Sequence, residues 1–587
     1  MKLRRVWLGV VALTVTAVCG AVGYRAYQEK VAAAVQLSSF APEGALLAIE
    51  SPDFAGLLKS WTGSGEEQRW LKGANYAGFE RSRLFERLHE AQGEFATSAG
   101  LPLDSQFTQT VAGGQSLLAW YDIGRLEFLY ITRMGPGQAD KTPLLALRAK
   151  FEERRVGGST FYVRSQGKEN GNGDQGRTVA FAVHGDFLLL ATREDLMANA
   201  LGLMDKPADR TMQNEPWYAK TVAAAGREAG DLRMTLNLAQ IVDSPYFRSY
   251  WVQQNITETK QYSAALSDLY RKDGEFREER VMLAVKPESV AAGVDLAPVL
   301  VYLPANSGVY RAVAQPDSAS VLAQLEAKIL WRKPAEYRDT RIAPEEDVAT
   351  PASGDAMSLE ERIDEPLVAE KSQSANVAAL RGLVDAAHVQ SMLVYSASEP
   401  VKAGDAGAVF VPIHTAVVLN ASGAWNQGAL QQSFVAAIAP QISVGAGGLA
   451  WKAQKQGRTT WAELTGMHGL ALAVQGKVCV VASDAATLLR VLDAGQGAAR
   501  SPMVAQTVAW FDHRSEREPL LRLAKLLDRN DKPAQDGVTP PFFSGNMASL
   551  SDTFQDLDSE TFTQDAPGND ASGEKVVHQT VVYRWRR

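Results

Sequence analysis

Val179-Ala180-Phe181-Ala182-Val183-His184-Gly185-Asp186-Phe187-Leu188-Leu189-Leu190-Ala191 and Leu470-Ala471-Leu472-Ala473-Val474-Gln475-Gly476-Lys477-Val478-Cys479-Val480-Val481-Ala482 are the stretches on which the fold turns. Each holds two short apolar runs around a glycine-centred tip, the pattern of a β-hairpin. A helical stretch follows each, Glu194–Met204 and Ala485–Leu492. At the tips only the glycine is shared. His184 and Asp186 stand opposite Gln475 and Lys477. A turn that needs positive φ requires the glycine alone. His184 and Asp186 therefore read as exposed turn residues rather than an acid–base or metal pair.

Outward from this hairpin, five further matches keep the same order. Pro42-Glu43-Gly44, the strand Ala45–Glu50, Pro52-Asp53 and a helix ending near Trp61 correspond to Leu303-Pro304-Ala305, Gly308–Val313, Pro316-Asp317 and a helix ending near Trp331. Asp after Pro suits a helix start, where its carboxylate accepts free backbone N–H groups. Gln115–Trp120 matches Gln390–Tyr395, each followed by a strand, Leu126–Thr132 and Thr415–Leu419. Next come Phe151–Arg155, read as a helix before Gly157-Gly158 and the strand Phe161–Val163, and Phe434–Ile438 before Gly445–Gly448 and Leu449–Trp451. After the hairpins, Leu232–Leu238 matches Thr507–Phe511. Leu266-Ser267-Asp268 matches Leu550-Ser551-Asp552, each ahead of a last strand, Arg280–Val285 and Val576–Tyr583.

Hairpins alternating with amphipathic helices, such as the one placing Leu84, Phe85, Leu88, Ala91 and Phe95 on one face, point to an α+β class. The expected organisation is an N-terminal transmembrane helix followed by two tandem related α+β units with antiparallel or mixed sheets. The anchor and a juxtamembrane helix occupy residues 1–35. The repeats span about 36–290 and 300–587, with residues 333–377, rich in Glu, Asp, Ser and Pro, as an acidic insertion. Lys168–Arg177 and Thr563–Lys575 read as hairpin tips.

Lys2, Arg4 and Arg5 precede an uncharged apolar run, Val6–Gly23. As a helix it reaches roughly 27 Å, near the hydrocarbon thickness of a bilayer. Tyr24, Arg25 and Tyr27 follow and suit the interface. The basic N-terminus places the remainder outside the cytoplasm. A cleaved signal peptide shares this charge order, but the run is long and the Gly20-Ala21 and Ala21-Gly23 pairs form a poor cleavage site. A lipobox at Thr16-Ala17-Val18-Cys19 has bulky Val18 before the cysteine. An uncleaved single pass, with the bulk in the periplasm, is the expected topology.

A chain of 587 residues suggests about three or four domains by length. A net charge of −7 without a basic block argues against nucleic acid as a partner. The two cysteines are Cys19, in the apolar run, and Cys479. The body thus has no internal disulfide and no paired-cysteine zinc site.

The remaining candidate motifs fail on context. Gly171-Asn172-Gly173-Asp174-Gln175-Gly176 has dinucleotide-loop spacing, but polar Lys168-Glu169-Asn170 precede it and a strand follows. Gly445–Ala450 runs from helix to strand, the wrong order. His89, His184, His388, His414, His468, His513 and His578 form no local metal pair. Ser165–Lys168 and Ser572–Lys575 fit S-x-x-K spacing, but in polar loops. Asp556, Asp558 and Glu560 lack the glycine of a calcium loop, which is Thr561 here. Ser267-Asp268 and Ser551-Asp552 read as caps or turns. No catalytic, cofactor-binding or metal-binding residue is assigned, and no cofactor is expected.

The anchor, the paired stretches and the start Pro42-Glu43-Gly44-Ala45-Leu46-Leu47 resemble a family of bacterial signal-anchored envelope proteins of unknown function. Its members carry a duplicated α+β body, and some are encoded near bacterial α2-macroglobulin-like proteins. The anchor, the duplicated body and the absence of site chemistry together lead to the expectation of a membrane-anchored envelope protein acting as a non-enzymatic binding or scaffold module with other envelope proteins. Two alternatives stand beside it. One is a periplasmic hydrolase or peptidoglycan-active enzyme with a site gathered from distant segments. The other is an accessory to a protease-inhibitor system, with residues 333–377 as bait.

Overall fold

The computed structural model describes residues 36–72, 76, 79–80, 83–165, 177–242, 259–272, 274–285, 293–305, 307–330, 377–399, 412–439, 449–465, 469–497, 500–527, 557–569 and 573–585. The anchor segment, most of 333–377, the glycine-rich stretches 171–176 and 445–448, and Ser551-Asp552 lie outside these residues. Two compact units divide the chain: Met1–Thr62 with Arg83–Tyr250, and Gly63–Ser82 with Trp251–Arg587.

The first unit carries β1 (Leu47–Ser51), β2 (Ser116–Asp122), β3 (Glu127–Arg133), β4 (Glu152–Val156), β5 (Ser159–Ser165), β6 (Thr178–His184), β7 (Phe187–Ala191) and β8 (Leu232–Leu236). All pair antiparallel, in the order β8-β1-β2-β3-β7-β6-β5-β4. Alternation along each strand sends apolar side chains to both faces. Leu117, Ala119, Leu129, Ile131, Leu189 and Ala191 pack against Leu196, Met197, Ala200 and Leu201 of helix α1 (Glu194–Asp205). On the other face, Val179, Phe181, Leu188 and Leu190 meet Phe95 and Ala99 of the helix Arg83–Ala99, and Phe107 and Val111.

The second unit carries β9 (Tyr262–Lys272), β10 (Glu275–Ala284), β11 (Val294–Asp295), β12 (Val309–Ala314), β13 (Val389–Ser398), β14 (Ile413–Ala421), β15 (Ala450–Gln456) and β16 (Thr459–Thr465). It continues with β17 (Leu470–Gln475), β18 (Val478–Ala482), β19 (Val504–Ala505), β20 (Thr507–Asp512), β21 (Leu557–Gln564), β22 (Gly568–Asn569) and β23 (Lys575–Trp585). One run of ladders reads β20-β12-β13-β14-β18-β17-β16-β15, strand for strand the order of the first unit. From β20 the ladders continue through β21, β23 and β10 to β9. Strands β11 and β19 form a separate two-stranded ladder. Leu393, Tyr395, Ala416, Val418, Val480 and Ala482 pack against Leu488, Val491 and Leu492 of helix α2 (Ala485–Gly495). Met392, Val417, Leu419, Leu472, Cys479 and Val481 face Val321, Leu325, Leu380, Val384, Leu430 and Phe434.

The expected fold class needs correction. The structure is dominated by antiparallel sheet, 21 strands of it, with helices, rather than by two tandem α+β repeats that each close an antiparallel or mixed sheet of their own: β10, at the end of the first expected repeat, ladders with β23 of the second. No parallel ladder occurs among the described strands. Among the described residues no helix is long and apolar enough to cross a membrane. The physical reason lies in the last strands. Arg280–Val285 and Val576–Tyr583 do not each close a sheet of their own. Instead β10 and β23 pair with each other over nine residue pairs, Glu275↔Arg584 to Leu283↔Val576. A strand edge left bare exposes a row of backbone donors and acceptors, and this pairing fills two of them at once.

Three local readings also change. Phe151–Arg155 is not helical: Glu152–Val156 is β4, whose ladder counterpart is β15, not the helix Gln427–Ile438. Its run of Glu and Arg carries no period-two apolar signal because four of its five side chains are exposed. Leu266-Ser267-Asp268 is neither cap nor turn but the middle of β9, with Leu266 and Asp268 buried. Finally, aligning Gln115 with Gln390 is off by one. Leu117 pairs with Ile131 and Leu393 with Val418. These, not Leu117 and Met392, share a face. The irregularity between Val389 and Ser391 absorbs the residue, and a slip of one moves every side chain to the opposite face.

The hairpins and caps follow the sequence. Gly185 and Gly476 have φ of 58° and 61°, left-handed values that glycine reaches without strain. Asp53 accepts the N–H of Gly56 (3.0 Å) and Asp317 that of Ser320 (2.6 Å).

Candidate functional site

Two clusters built around a histidine emerge, one in each unit. In the first, Ser159 opens β5, His184 closes β6 and Asp205 ends α1. His184 Nδ1 lies 2.9 Å from Ser159 Oγ. The Ser159 hydroxyl is also 3.1 and 3.3 Å from the Asp205 carboxylate oxygens, and Gly158 N–H donates to Asp205 at 3.2 Å. His184 Nδ1 stands 3.9 Å from Asp205. His184 is thus half-buried and engaged, not a free turn residue, while Asp186 takes no part.

A serine, a histidine and an aspartate in contact invite comparison with a hydrolytic triad. In a triad the carboxylate holds one imidazole nitrogen and the other nitrogen takes the serine proton. Here the hydroxyl sits between the two other groups, and the carboxylate is bonded to the hydroxyl. Ser159 is 8% exposed, which leaves little room for a substrate carbonyl. The arrangement ties the β4–β5 turn and the end of β6 to the end of α1. The second unit holds Thr459, Gln475 and Gln496 at the same ladder positions. Gln496 Nε2 donates to Thr459 Oγ1 at 3.4 Å, the same tie without an ionisable group.

The second cluster joins Glu399, just past β13, His414 on β14 and Asp484, which caps α2. His414 Nδ1 is 2.8 Å from Asp484 Oδ2, and Nε2 is 3.1 Å from Glu399 Oε1. Asp484 also accepts from Thr487 N–H (2.7 Å), Thr487 Oγ1 (2.8 Å) and Ser483 Oγ (3.0 Å). Both carboxylates accept only, so both ring nitrogens serve best as donors, which is the imidazolium form. Partial burial pulls the ring downward, but its bonds to Asp484 and Glu399 outweigh this and hold His414 above the ordinary histidine range. Burial likewise pushes Asp484 up, and the bonds from His414, Thr487 and Ser483 bring it below the ordinary aspartate range.

The ladders locate the counterpart of this pair. Leu129 pairs with Ala191 and Ala416 with Ala482. Glu127 and Arg193 therefore stand where His414 and Asp484 stand, and they too are paired, at 3.2 Å. The neighbouring bonds also correspond. Thr192 Oγ1 accepts Phe128 N–H at 2.8 Å, and Ser483 Oγ accepts Thr415 N–H at 3.0 Å. The same staple from strand to helix start appears with the sign of charge exchanged.

A third polar group crosses β9 and β10. Ser267 Oγ donates to Glu278 at 2.7 Å, and Arg280 clamps both Glu278 oxygens at 2.7 and 2.6 Å. Burial raises Glu278, but the bonds from Arg280 and Ser267 outweigh it and hold the group below the ordinary carboxylate range. Next to this pair, Gln579 Nε2 donates to Gln564 Oε1 at 3.0 Å, and Gln564 to Gln506.

Asp558 pairs with Arg514 at 2.9 Å. Among the described residues no group of three or more His, Cys, Asp or Glu side chains is arranged to hold a metal ion. Ser159, Asp205 and Glu399 carry no local sequence signal of these contacts. Only Asp484, at the start of a helical stretch with Thr487 three residues on, carried a local signal, that of a cap.

No protein-family model matches the chain, and no curated protein matches it. Among solved structures it is similar to the one described as "Structure of crystal form I of TP0453". The likeness covers 43% of this chain and 79% of that one, at 10% identity and a TM-score of 0.24. A likeness of that degree carries no statement about fold or function.

Proposed function

We propose that this chain is an envelope protein held in the inner (cytoplasmic) membrane by its N-terminal apolar segment, with the N-terminus cytoplasmic and the body periplasmic. The body is a non-enzymatic binding or scaffold module containing an internal repeat, and it works with other envelope proteins. The observation that carries the non-enzymatic reading is the state of the ionisable clusters. Ser159, His184 and Asp205 tie β5 and β6 to the end of α1, His414 ties Glu399 to Asp484 at the start of α2, and Glu278 on β10 is bonded by Arg280 and by Ser267 of β9. An acid, base or nucleophile needs a free lone pair or proton aimed at a substrate. The like order of β8-β1-β2-β3-β7-β6-β5-β4 and β20-β12-β13-β14-β18-β17-β16-β15 supports the repeat.

The test uses the full chain in a bacterial membrane. A reporter fused at the C-terminus reads the side of the membrane, and activity in the cytoplasm would sink the topology. Photo-crosslinking groups placed along the exposed strands, followed by detergent extraction, are expected to give discrete adducts with envelope proteins. A hydrolytic turnover of peptidoglycan or ester substrates that disappears in S159A would instead establish the enzyme.

A further inference from the structure

We infer that the second unit contains a proton-operated clamp. Protonated His414 ties the end of β13 (Glu399) to the start of α2 (Asp484), and loss of its proton releases the β13 side.

Two carboxylates hold the two nitrogens of one ring. A neutral imidazole has a single N–H, so one of the two bonds must be lost on deprotonation. Asp484 keeps three other donors, from Thr487 and Ser483, whereas among the described residues Glu399 has His414 as its one side-chain partner. The weaker side is therefore Glu399, next to the last β13–β14 ladder pair, Ser398↔Ile413. The first unit builds the same staple from Glu127 and Arg193. A guanidinium does not deprotonate in the physiological range, so that staple stays charged where an imidazolium does not.

Other charges packed nearby do not replace the missing proton. Arg490, one turn along α2, bonds to Thr487 Oγ1 at 3.0 Å. Glu516 of the helix His513–Leu527 is bonded to Ser398 N–H and Oγ. The cross-strand neighbour of His414 is Ala397, which does not titrate. The sign follows from the raised histidine. A group more basic folded than unfolded adds stability below its unfolded value of 6.5, and that stability is lost as pH rises through the folded value. The lowered Asp484 adds its share above its unfolded value of 3.8, lost as pH falls through its folded value. The clamp is closed between these limits and opens on the alkaline side.

Two measurements on the full chain in detergent micelles test it. Imidazole C2–H exchange read by mass spectrometry is expected to show His414 titrating above the ordinary histidine range, and E399Q is expected to move it down. Amide exchange, corrected for intrinsic rates, is expected to show residues 389–399 and 412–421 losing about tenfold in protection per pH unit across the His414 midpoint. Residues 116–133 of the first unit serve as the reference and stay level. H414Q should abolish the difference, and E399Q should shrink it if H414Q does not fold. Equal pH profiles for the two hairpins, or a profile that persists in E399Q, overturn the clamp.

Discussion

Glu516 and Ser398 are joined twice: the buried carboxylate accepts the Ser398 N–H at 3.1 Å and its hydroxyl at 2.6 Å. The pair pins the Ser-rich end of strand β13 to the helix His513–Leu527. Gly308 lies against the same carboxylate, where an added Cβ would overlap Oε1. Removing the charge in E516Q weakens two charge-assisted bonds, and the expected loss is roughly 1.5–3 kcal/mol. G308A should destabilise through the clash and should couple to E516Q rather than add to it. A double-mutant cycle by urea unfolding followed at Trp fluorescence measures both. Strict additivity would refute the shared contact.

The Glu127–Arg193 staple is partly exposed, Arg193 by 40% and Glu127 by 18% of its side chain. Exposed pairs contribute little because water already solvates both charges. E127Q is expected to lower stability by less than about 1 kcal/mol, with the loss shrinking at high salt. Unfolding of the variant and the parent at low and high ionic strength decides it. A loss that ignores salt would mean that Glu127 acts through packing.

Asp317 accepts Ser320 N–H at the head of the helix Ser318–Lys328, whose Val321, Leu322 and Leu325 are buried. D317A should cost about 0.5–2 kcal/mol, and D317S or D317N should recover most of it, since either side chain can accept the same N–H. Thermal unfolding of the three variants ranks them. No recovery in either would show that charge, not capping, is what matters there.

Cys479 is fully buried on β18 among Val417, Leu472 and Val481. Burial in apolar surroundings pushes its thiol up to about 12, so the thiolate that reacts with alkylating agents is scarce across the neutral range. The Cys479 peptide should stay unmodified by maleimide in the native protein and label on addition of denaturant. Rapid native labelling would require that β18 opens locally.

Much of the molecule is written in short stretches. The hairpin tips at Gly185 and Gly476, the caps at Asp53 and Asp317 and the helices after each hairpin depend on a few adjacent residues. Local conformation and one-sided burial are properties a short segment specifies by itself. The order of the strands along the chain was legible for the same reason. The charged strand β4 was not, because its exposed side chains leave no apolar period to read.

Tertiary structure decided what depends on partners far along the chain. The register of Leu393 against Val418 turns on an irregularity that composition does not announce. The pairing of β10 with β23 joins residues about three hundred positions apart, with Glu275 opposite Arg584. His414 meets Glu399 and Asp484 across separations of 15 and 70 residues. Sequence alone determined the hairpin turns, the helix starts and those strands that carry an apolar period, because these follow from local backbone and side-chain preferences. Which strands become neighbours, and so which charges face one another, follows from the burial and hydrogen bonding of the whole sheet, and only the folded chain contains that.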